Sequence, residues 1–125
     1  MKQPLSVVGM AVQVRFGDVS AAGQWYERLF GRPPDRTPHP TLWEWELLPM
    51  CYVQLVAGEP RPSSMRIRLG VADLADERER LQEALGLAIS PVERIEGSAM
   101  WCDFDDPFGN HLGLFEDLAD RTLLA

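Results

Sequence analysis

The chain has 125 residues, of which 46% are hydrophobic and 25% are charged, so we expect one folded domain and exclude a disordered chain. A net charge of −7 opposes the phosphate backbone and argues against nucleic acid as a partner. No apolar run is as long as a membrane span, and the opening MKQPLSVVG lacks the apolar centre of a signal peptide. These features predict a cytoplasmic protein with no membrane partner, in which Cys51 and Cys102 are reduced thiols.

An internal repeat organises the chain. Residues 10–31 match residues 65–86 at a constant offset of 55 positions. Each copy begins with alternating apolar residues, which is typical of a half-buried strand, and continues into a helical stretch. Asp18 and Asp73 stand where a helix N-cap is expected, and Gly31 and Gly86 where a left-handed helix end is expected.

Strand-like sequence follows each predicted helix. The first copy offers residues 42–47 and 51–57, with a weaker strand near 35–38, and the second offers 91–96, 99–104 and 111–116. The tetrapeptide DPFG, residues 106–109, predicts a type I turn that joins the last two strands. The predicted fold class is therefore α+β, with two βαβββ modules in tandem (residues 1–58 and 64–125) within a single domain. Its eight strands would form curved sheets, with a helix on the convex face of each.

Strand parity places four polar side chains on the concave side of these sheets, namely Gln13, Arg15, Arg66 and Arg68. Guanidinium groups in a cavity favour a carboxylate, a phosphate or another anionic ligand. The alternative is that the arginines pair internally, with Glu44 or Glu46 as candidate partners.

Aromatic residues are the second group of candidate ligand contacts. Trp43 and Trp45 share one face of their strand, and the sequence leaves open which face lines the cavity. Tyr52 and Trp101 are expected on neighbouring strands. Aromatic walls bind planar or apolar molecules, but the same rings could instead close the core or a dimer interface.

The motifs FGDVSAAGQWYERLFG (residues 16–31) and DPFGNHLGLFE (residues 106–116) resemble those of the vicinal oxygen chelate superfamily, also called the glyoxalase/bleomycin-resistance/dioxygenase family. With the repeat, the resemblance covers nearly the whole chain and implies paired βαβββ modules. It implies no single activity, because the family includes lyases, isomerases, dioxygenases, thiol transferases and proteins that only sequester drugs.

The resemblance also implies where a divalent metal ion would be held. The family's ligand positions correspond here to Ala11, Arg66, Gly113 and, by a less certain alignment, Gln54. Alanine and glycine have no donor atom, arginine stays protonated, and one glutamine is too few ligands. His111 and Glu116 lie on opposite faces of one strand and do not replace them, although His111 is itself a candidate ligand contact or a surface residue.

The sequence therefore predicts a metal-free protein without a cofactor that binds a small organic or anionic molecule. Its predicted contacts are Gln13, Arg15, Trp43, Trp45, Tyr52, Gln54, Arg66, Arg68, Trp101 and His111. The alternative is a lyase-, isomerase- or dioxygenase-like enzyme with a non-standard metal or acid–base site, for which Asp103 is a candidate base. A third hypothesis is an interaction module, and a homodimer is expected in all three cases.

Overall fold

The computed structural model describes residues 5–61 and 63–119. The chain divides into two compact units, with the boundary between residues 61 and 62. Each unit contains one helix and one four-stranded mixed sheet in the order βαβββ. The α+β class and the repeated βαβββ pattern predicted from the sequence are confirmed.

The first unit contains β1 (Met10–Phe16), α1 (Val19–Phe30), β2 (Arg36–His39), β3 (Leu42–Leu48) and β4 (Cys51–Ala57). The strand order across its sheet is β1-β4-β3-β2. β1 runs parallel to β4, whereas β3 pairs antiparallel with both β4 and β2.

Helix α1 begins and ends as its sequence predicts. The carboxylate of Asp18 accepts a hydrogen bond from the backbone N–H of Ala21 at 3.0 Å, which caps the helix N-terminus. Gly31 has φ of 73°, a left-handed conformation that glycine adopts without strain, and its N–H donates to the carbonyl oxygen of Glu27. Between these ends, Ala22, Tyr26 and Leu29 form the buried stripe.

The second unit contains β5 (Arg66–Gly70), α2 (Leu74–Leu85), β6 (Glu93–Ile95), β7 (Ala99–Asp105) and β8 (His111–Asp117). Its strand order is β5-β8-β7-β6, with β5 parallel to β8 and the other pairs antiparallel. The same caps recur in α2, because Asp73 accepts from the N–H of Asp76 at 3.1 Å and Gly86 has φ of 62°.

The predicted turn between β7 and β8 is held by one buried carboxylate. Asp106 Oδ1 accepts hydrogen bonds from the backbone N–H groups of Phe108 and Asn110, each at 2.8 Å. Gly109 follows with φ of 90°, in the left-handed region that favours glycine. The turn fixes the register in which β7 and β8 pair.

In each unit the helix covers one face of its sheet. The helix-packed residues of the sheets include Phe16, Trp45, Val53 and Leu55 in the first unit and Cys102, Phe104, Leu112 and Leu114 in the second. Because side chains alternate along a strand, the intervening residues point to the opposite side, which we call the helix-distal face. Neither described helix combines the length and the apolar character that crossing a membrane requires.

Candidate functional site

The helix-distal face of the second sheet carries four of the predicted contacts, namely Arg66, Arg68, Trp101 and His111. Strand register arranges this face in three rows, which run from β5 through β8 to β7. The rows are Arg66–His111–Asp105, then Arg68–Gly113–Asp103, then Gly70–Phe115–Trp101. Charged and polar groups therefore occupy two adjacent rows, and two aromatic rings occupy the third.

An ion pair spans the middle row. Arg68 donates from Nε to Asp103 Oδ1 and from Nη2 to Asp103 Oδ2, both at 2.9 Å, which is the two-pronged geometry of strong guanidinium–carboxylate pairs. These bonds lower the pKa of Asp103 and raise the pKa of Arg68, so both groups stay ionised at neutral pH. The predicted internal pairing of the arginines is thus with Asp103, not with the carboxylates of β3.

Gly113 lies beneath this pair. A methyl group built on its Cα would stand 2.6 Å from Asp103 Oδ1 and 2.8 Å from the carbonyl oxygen of Cys102. Both distances are shorter than van der Waals contact allows, so a side chain here would displace the ion pair or the backbone. The absence of a side chain at 113 is therefore what lets Arg68 reach across β8 to Asp103.

Arg66 is the less satisfied of the two arginines. Its Nη1 donates to the carbonyl oxygens of Phe104 and Leu112, but its Nε is 3.8 Å from Asp103 Oδ2, too far for a hydrogen bond. Within residues 5–61 and 63–119, Nε and Nη2 of Arg66 make no hydrogen bond. Since the Arg66 side chain is 32% exposed, these donors are within reach of solvent and of a ligand.

Aromatic surface adjoins the ion pair. The guanidinium carbon of Arg68 lies 5.5 Å from the centroid of the Trp101 ring, within the range of cation–π attraction. Phe115, the cross-strand neighbour of Trp101, packs over Gly70, where an added Cβ would approach its ring to 2.8 Å. Phe115 remains 36% exposed, so part of its ring is open to solvent on this face.

His111 lies beside Arg66 on the neighbouring strand. Its Nδ1 is 2.8 Å from Asp105 Oδ1, so the carboxylate orients the imidazole. The opposite ring nitrogen, Nε2, makes no hydrogen bond with any residue that the structure describes.

The helix-distal face of the first sheet is organised differently, as a hydrogen-bond chain across all four strands. Gln13 donates to Gln54 at 3.2 Å, and Gln54 donates to Glu44 at 2.7 Å. Arg36 Nε donates to the other oxygen of Glu44 at 2.8 Å. Glu44 is only 4% exposed, and the hydrogen bond from Gln54, reinforced by Arg36, lowers its pKa. This network holds the buried carboxylate of Glu44 in its ionised form, which is a structural role.

The remaining first-unit candidates lie at the margins of this network. Tyr52 is on the same face, with the guanidinium carbon of Arg36 5.8 Å from its ring centroid. Arg15 lies near the end of β1, where its Cδ would be 3.3 Å from a methyl group added at Gly58.

The two tryptophans of β3 lie on the helix-packed face, which answers the question that their sequence leaves open. Trp45 is fully buried, its ring centroid is 5.3 Å from that of Phe30, and its Nε1 donates to the carbonyl oxygen of Arg32. Trp43 contacts α1 at Gly23. Trp45 therefore belongs to the core of the first unit, and the half-buried Trp43 packs on α1 rather than with the other predicted contacts.

The expectation that Tyr52 and Trp101 lie on neighbouring strands is wrong. Tyr52 is on β4 of the first sheet and Trp101 is on β7 of the second sheet, so the two rings are not on neighbouring strands. The residue that does neighbour Trp101 is Phe115, which the sequence did not single out. Strand parity could have identified it, since Phe115 has the same parity as His111 and Gly113 and therefore lies on the same face.

The residues at the metal-ligand positions implied by the resemblance do not fit a divalent cation. Ala11 and Gly113 lack donor atoms, and the amide of Gln54 is occupied by Gln13 and Glu44. Arg66 presents a positive charge where a cation would have to bind. Among the described residues, moreover, no three His, Cys, Asp or Glu side chains cluster as a metal site would require.

No protein-family model matches the sequence, and no curated protein matches it at a significant level. Solved structures do match its fold. A glyoxalase/bleomycin resistance protein from Catenulispora acidiphila superposes with a TM-score of 0.73 at 24% identity, covering 88% of this chain and 98% of that one. An antibiotic-binding protein from a Streptomyces species gives a TM-score of 0.72 at 22% identity, with coverage of 92% and 99%.

A lactoylglutathione lyase from Agrobacterium tumefaciens gives a TM-score of 0.70 at 17% identity, covering 92% of this chain and 96% of that one. At such identities the likeness establishes the fold and leaves the chemistry to the residues. The chain therefore has the fold of the glyoxalase/bleomycin-resistance/dioxygenase proteins, which confirms its resemblance to the vicinal oxygen chelate superfamily at that level.

Proposed function

We propose that the protein binds a small organic molecule without a metal ion, on the helix-distal face of its second sheet. The observation that carries the proposal is the pairing of aromatic surface, the exposed Phe115 and the half-buried Trp101, with the charged rows beside it. Flat apolar surface binds a planar molecule through buried area, and polar groups at its margin fix the orientation. The antibiotic-binding neighbour with the same fold is consistent with such a role.

Binding fits these residues better than turnover does. A general base should have a pKa near the working pH, but the hydrogen bonds from Arg68 lower the pKa of Asp103 and make it a weak base. The metal-dependent form of the lyase, isomerase or dioxygenase alternative would need a cation held by residues that include an arginine and an alanine. A binding protein needs neither a general base nor a bound metal ion.

The test is a titration of flat aromatic compounds, followed by calorimetry and by tryptophan fluorescence. We expect Trp101→Leu to weaken binding of the best compound about tenfold, because a stacking surface is lost. Trp25→Leu is the matched control, since Trp25 lies on α1 in the first unit, and it should leave the affinity unchanged. Near-ultraviolet circular dichroism of each variant establishes that it is folded.

Three results would contradict the proposal. One is that no compound binds at millimolar concentration, and another is that binding disappears when the protein is treated with a chelator. The third is an equal loss in the two tryptophan variants, which would place the site elsewhere.

Homodimerisation and a cytoplasmic location complete the proposal. Met10, Leu48 and Met50 are apolar side chains that stay exposed near one end of the first sheet, and they are candidates for a dimer contact. Two free cysteines, Cys51 and Cys102, fit a reducing compartment. Light scattering over a range of concentrations measures the oligomeric state, and a monomer at every concentration would refute the dimer.

A further inference from the structure

The charges on the helix-distal face of the second sheet do not balance around Asp103. Arg68 uses both carboxylate oxygens in its two-pronged pair, which leaves Arg66 with only a 3.8 Å approach to the same group. Two guanidinium groups thus share one carboxylate. The excess positive charge is on Arg66, which keeps unused N–H donors.

Three other carboxylates lie on this face, those of Asp105, Glu93 and Asp117, and none of them forms an ion pair with Arg66 among the described residues. Asp117 is at the opposite end of β8, where it pairs with Ala99 and accepts a hydrogen bond from the N–H of Ala119. Asp105 is at the far end of the row of Arg66, beyond His111, to which it is hydrogen-bonded, and its side chain is 59% exposed. Glu93 is the cross-strand neighbour of Trp101 on β6, and it acts on Arg68 from that side. An anion approaching Arg66 from solvent therefore meets a guanidinium whose Nε and Nη2 have no acceptor within the described part of the chain.

The aromatic rings lie at a defined separation from this guanidinium. Four residues along a strand separate the row of Arg66 from the row of Trp101 and Phe115, which corresponds to about 13 Å between backbone positions. The long side chain of Arg66 shortens the distance that a ligand must span between the guanidinium and the aromatic rings. The face is thus suited to a molecule whose negative group stands at one end of an extended flat body.

On the basis of the binding function proposed above, we infer that the ligand is an elongated aromatic carboxylate. Its carboxylate accepts hydrogen bonds from Nε and Nη2 of Arg66, while its rings lie against Phe115 and Trp101. The Arg68–Asp103 pair between them stays intact and presents its polar edge to the middle of the ligand. Charge-assisted bonds from a guanidinium make the preference for an anion over a neutral analogue substantial.

A matched pair of probes tests this inference. Biphenyl-4-carboxylate and biphenyl-4-carboxamide have nearly the same shape and differ in charge, and calorimetry gives the affinity of each. We expect the protein to bind the carboxylate about tenfold more tightly than the carboxamide at low salt. High salt should reduce this ratio, since the Arg66 donors are partly exposed.

Three variants locate the source of the preference. Arg66→Gln should abolish it, whereas Arg66→Lys, which keeps the charge, should retain most of it. Arg94→Gln is the matched control, because it removes a positive charge from β6 of the same unit at a residue that pairs with Glu96 on the surface. It should leave the ratio unchanged, and thermal unfolding of all three variants checks that they are folded.

Each result has a distinct meaning. Equal affinity for the two probes overturns the anion inference and leaves the binding function standing. No binding of either probe also overturns the anion inference, and the binding function fails with it only if no other flat aromatic compound binds. Loss of the preference in Arg94→Gln as well as in Arg66→Gln shows a diffuse charge effect, and the inference then fails.

Discussion

Position 113 requires glycine because the space above its Cα is occupied. Asp103 Oδ1, the carbonyl oxygen of Cys102 and Cγ of Arg68 would lie 2.6, 2.8 and 3.0 Å from an added methyl group. One of these neighbours is backbone and cannot yield as a flexible side chain would. Glycine at position 113 of β8 therefore leaves the space that the Arg68–Asp103 ion pair occupies.

We expect Gly113→Ala to reduce the free energy of unfolding by about 1–3 kcal/mol, the usual cost of forcing extra atoms into a packed site. Chemical denaturation measures this change. Gly17→Ala is the control, because a Cβ at Gly17 meets nothing within 4 Å, and it should change stability by less than about 0.5 kcal/mol. Equal effects of the two substitutions would show that the ion pair does not lie across Gly113.

The buried carboxylate of Glu44 makes the stability of the first unit depend on pH. The hydrogen bond from Gln54 and the charge of Arg36 hold its pKa in the folded protein below the ordinary value of 4.5. The folded state then binds fewer protons than the unfolded state, so this stabilisation is present above about pH 4.5 and is lost as the pH falls through the lowered pKa.

We therefore expect Glu44→Gln to destabilise the protein at pH 7 by about 1–3 kcal/mol, because Arg36 loses a charged, buried partner. The difference between the variant and the parent should shrink as the pH falls towards 3. Urea denaturation at several pH values measures both effects. A difference that stays constant from pH 7 to pH 3 would show that Glu44 is not held ionised by these contacts.

At the scale of elements, the packing of α1 on β3 depends on a glycine inside the helix. The Trp43 ring approaches Gly23 so closely that an added Cβ would lie 2.2 Å from its Cε3 atom. Alanine is ordinarily a better helix former than glycine by about 1 kcal/mol, so helix propensity alone would predict that an alanine is preferred here. The contact with the indole outweighs that preference.

We expect Gly23→Ala to lower the thermal midpoint rather than raise it, with a loss of about 1–3 kcal/mol from overpacking against Trp43. Gln24→Ala, at an exposed position of the same helix, should have little effect. Stabilisation by Gly23→Ala would mean that α1 is not in close contact with β3.

At the scale of the whole molecule, the chain shares its fold with a lactoylglutathione lyase and with an antibiotic-binding protein. Its residues at the positions that the resemblance implies for a metal ion are poorly suited to a cation. The fold supplies a helix-distal face in each unit, and the side chains decide what that face binds. An alanine in the first unit and an arginine and a glycine in the second remove the donors that a divalent ion needs.

We accordingly expect added Ni²⁺, Mn²⁺ or Zn²⁺ to produce no saturable rise in the thermal midpoint, since a ligand stabilises a protein only by binding its folded state. Elemental analysis after gel filtration should find metal well below one equivalent per chain. A stoichiometric ion that is lost when Gln54 or His111 is replaced by alanine would refute the metal-free proposal.

The sequence by itself determined the repeat, the strand–helix–strand order, the helix caps and the β7–β8 turn, because each depends on local backbone chemistry within a few residues. It also placed Gln13, Arg66 and Arg68 on the helix-distal faces, since parity along a strand is a local property. Only the tertiary structure decided that Trp43 and Trp45 pack against α1, that Arg68 rather than Arg66 takes Asp103, and that Phe115 neighbours Trp101. These contacts join residues far apart in the chain, and strand order and register, which no local pattern specifies, determine which of them form.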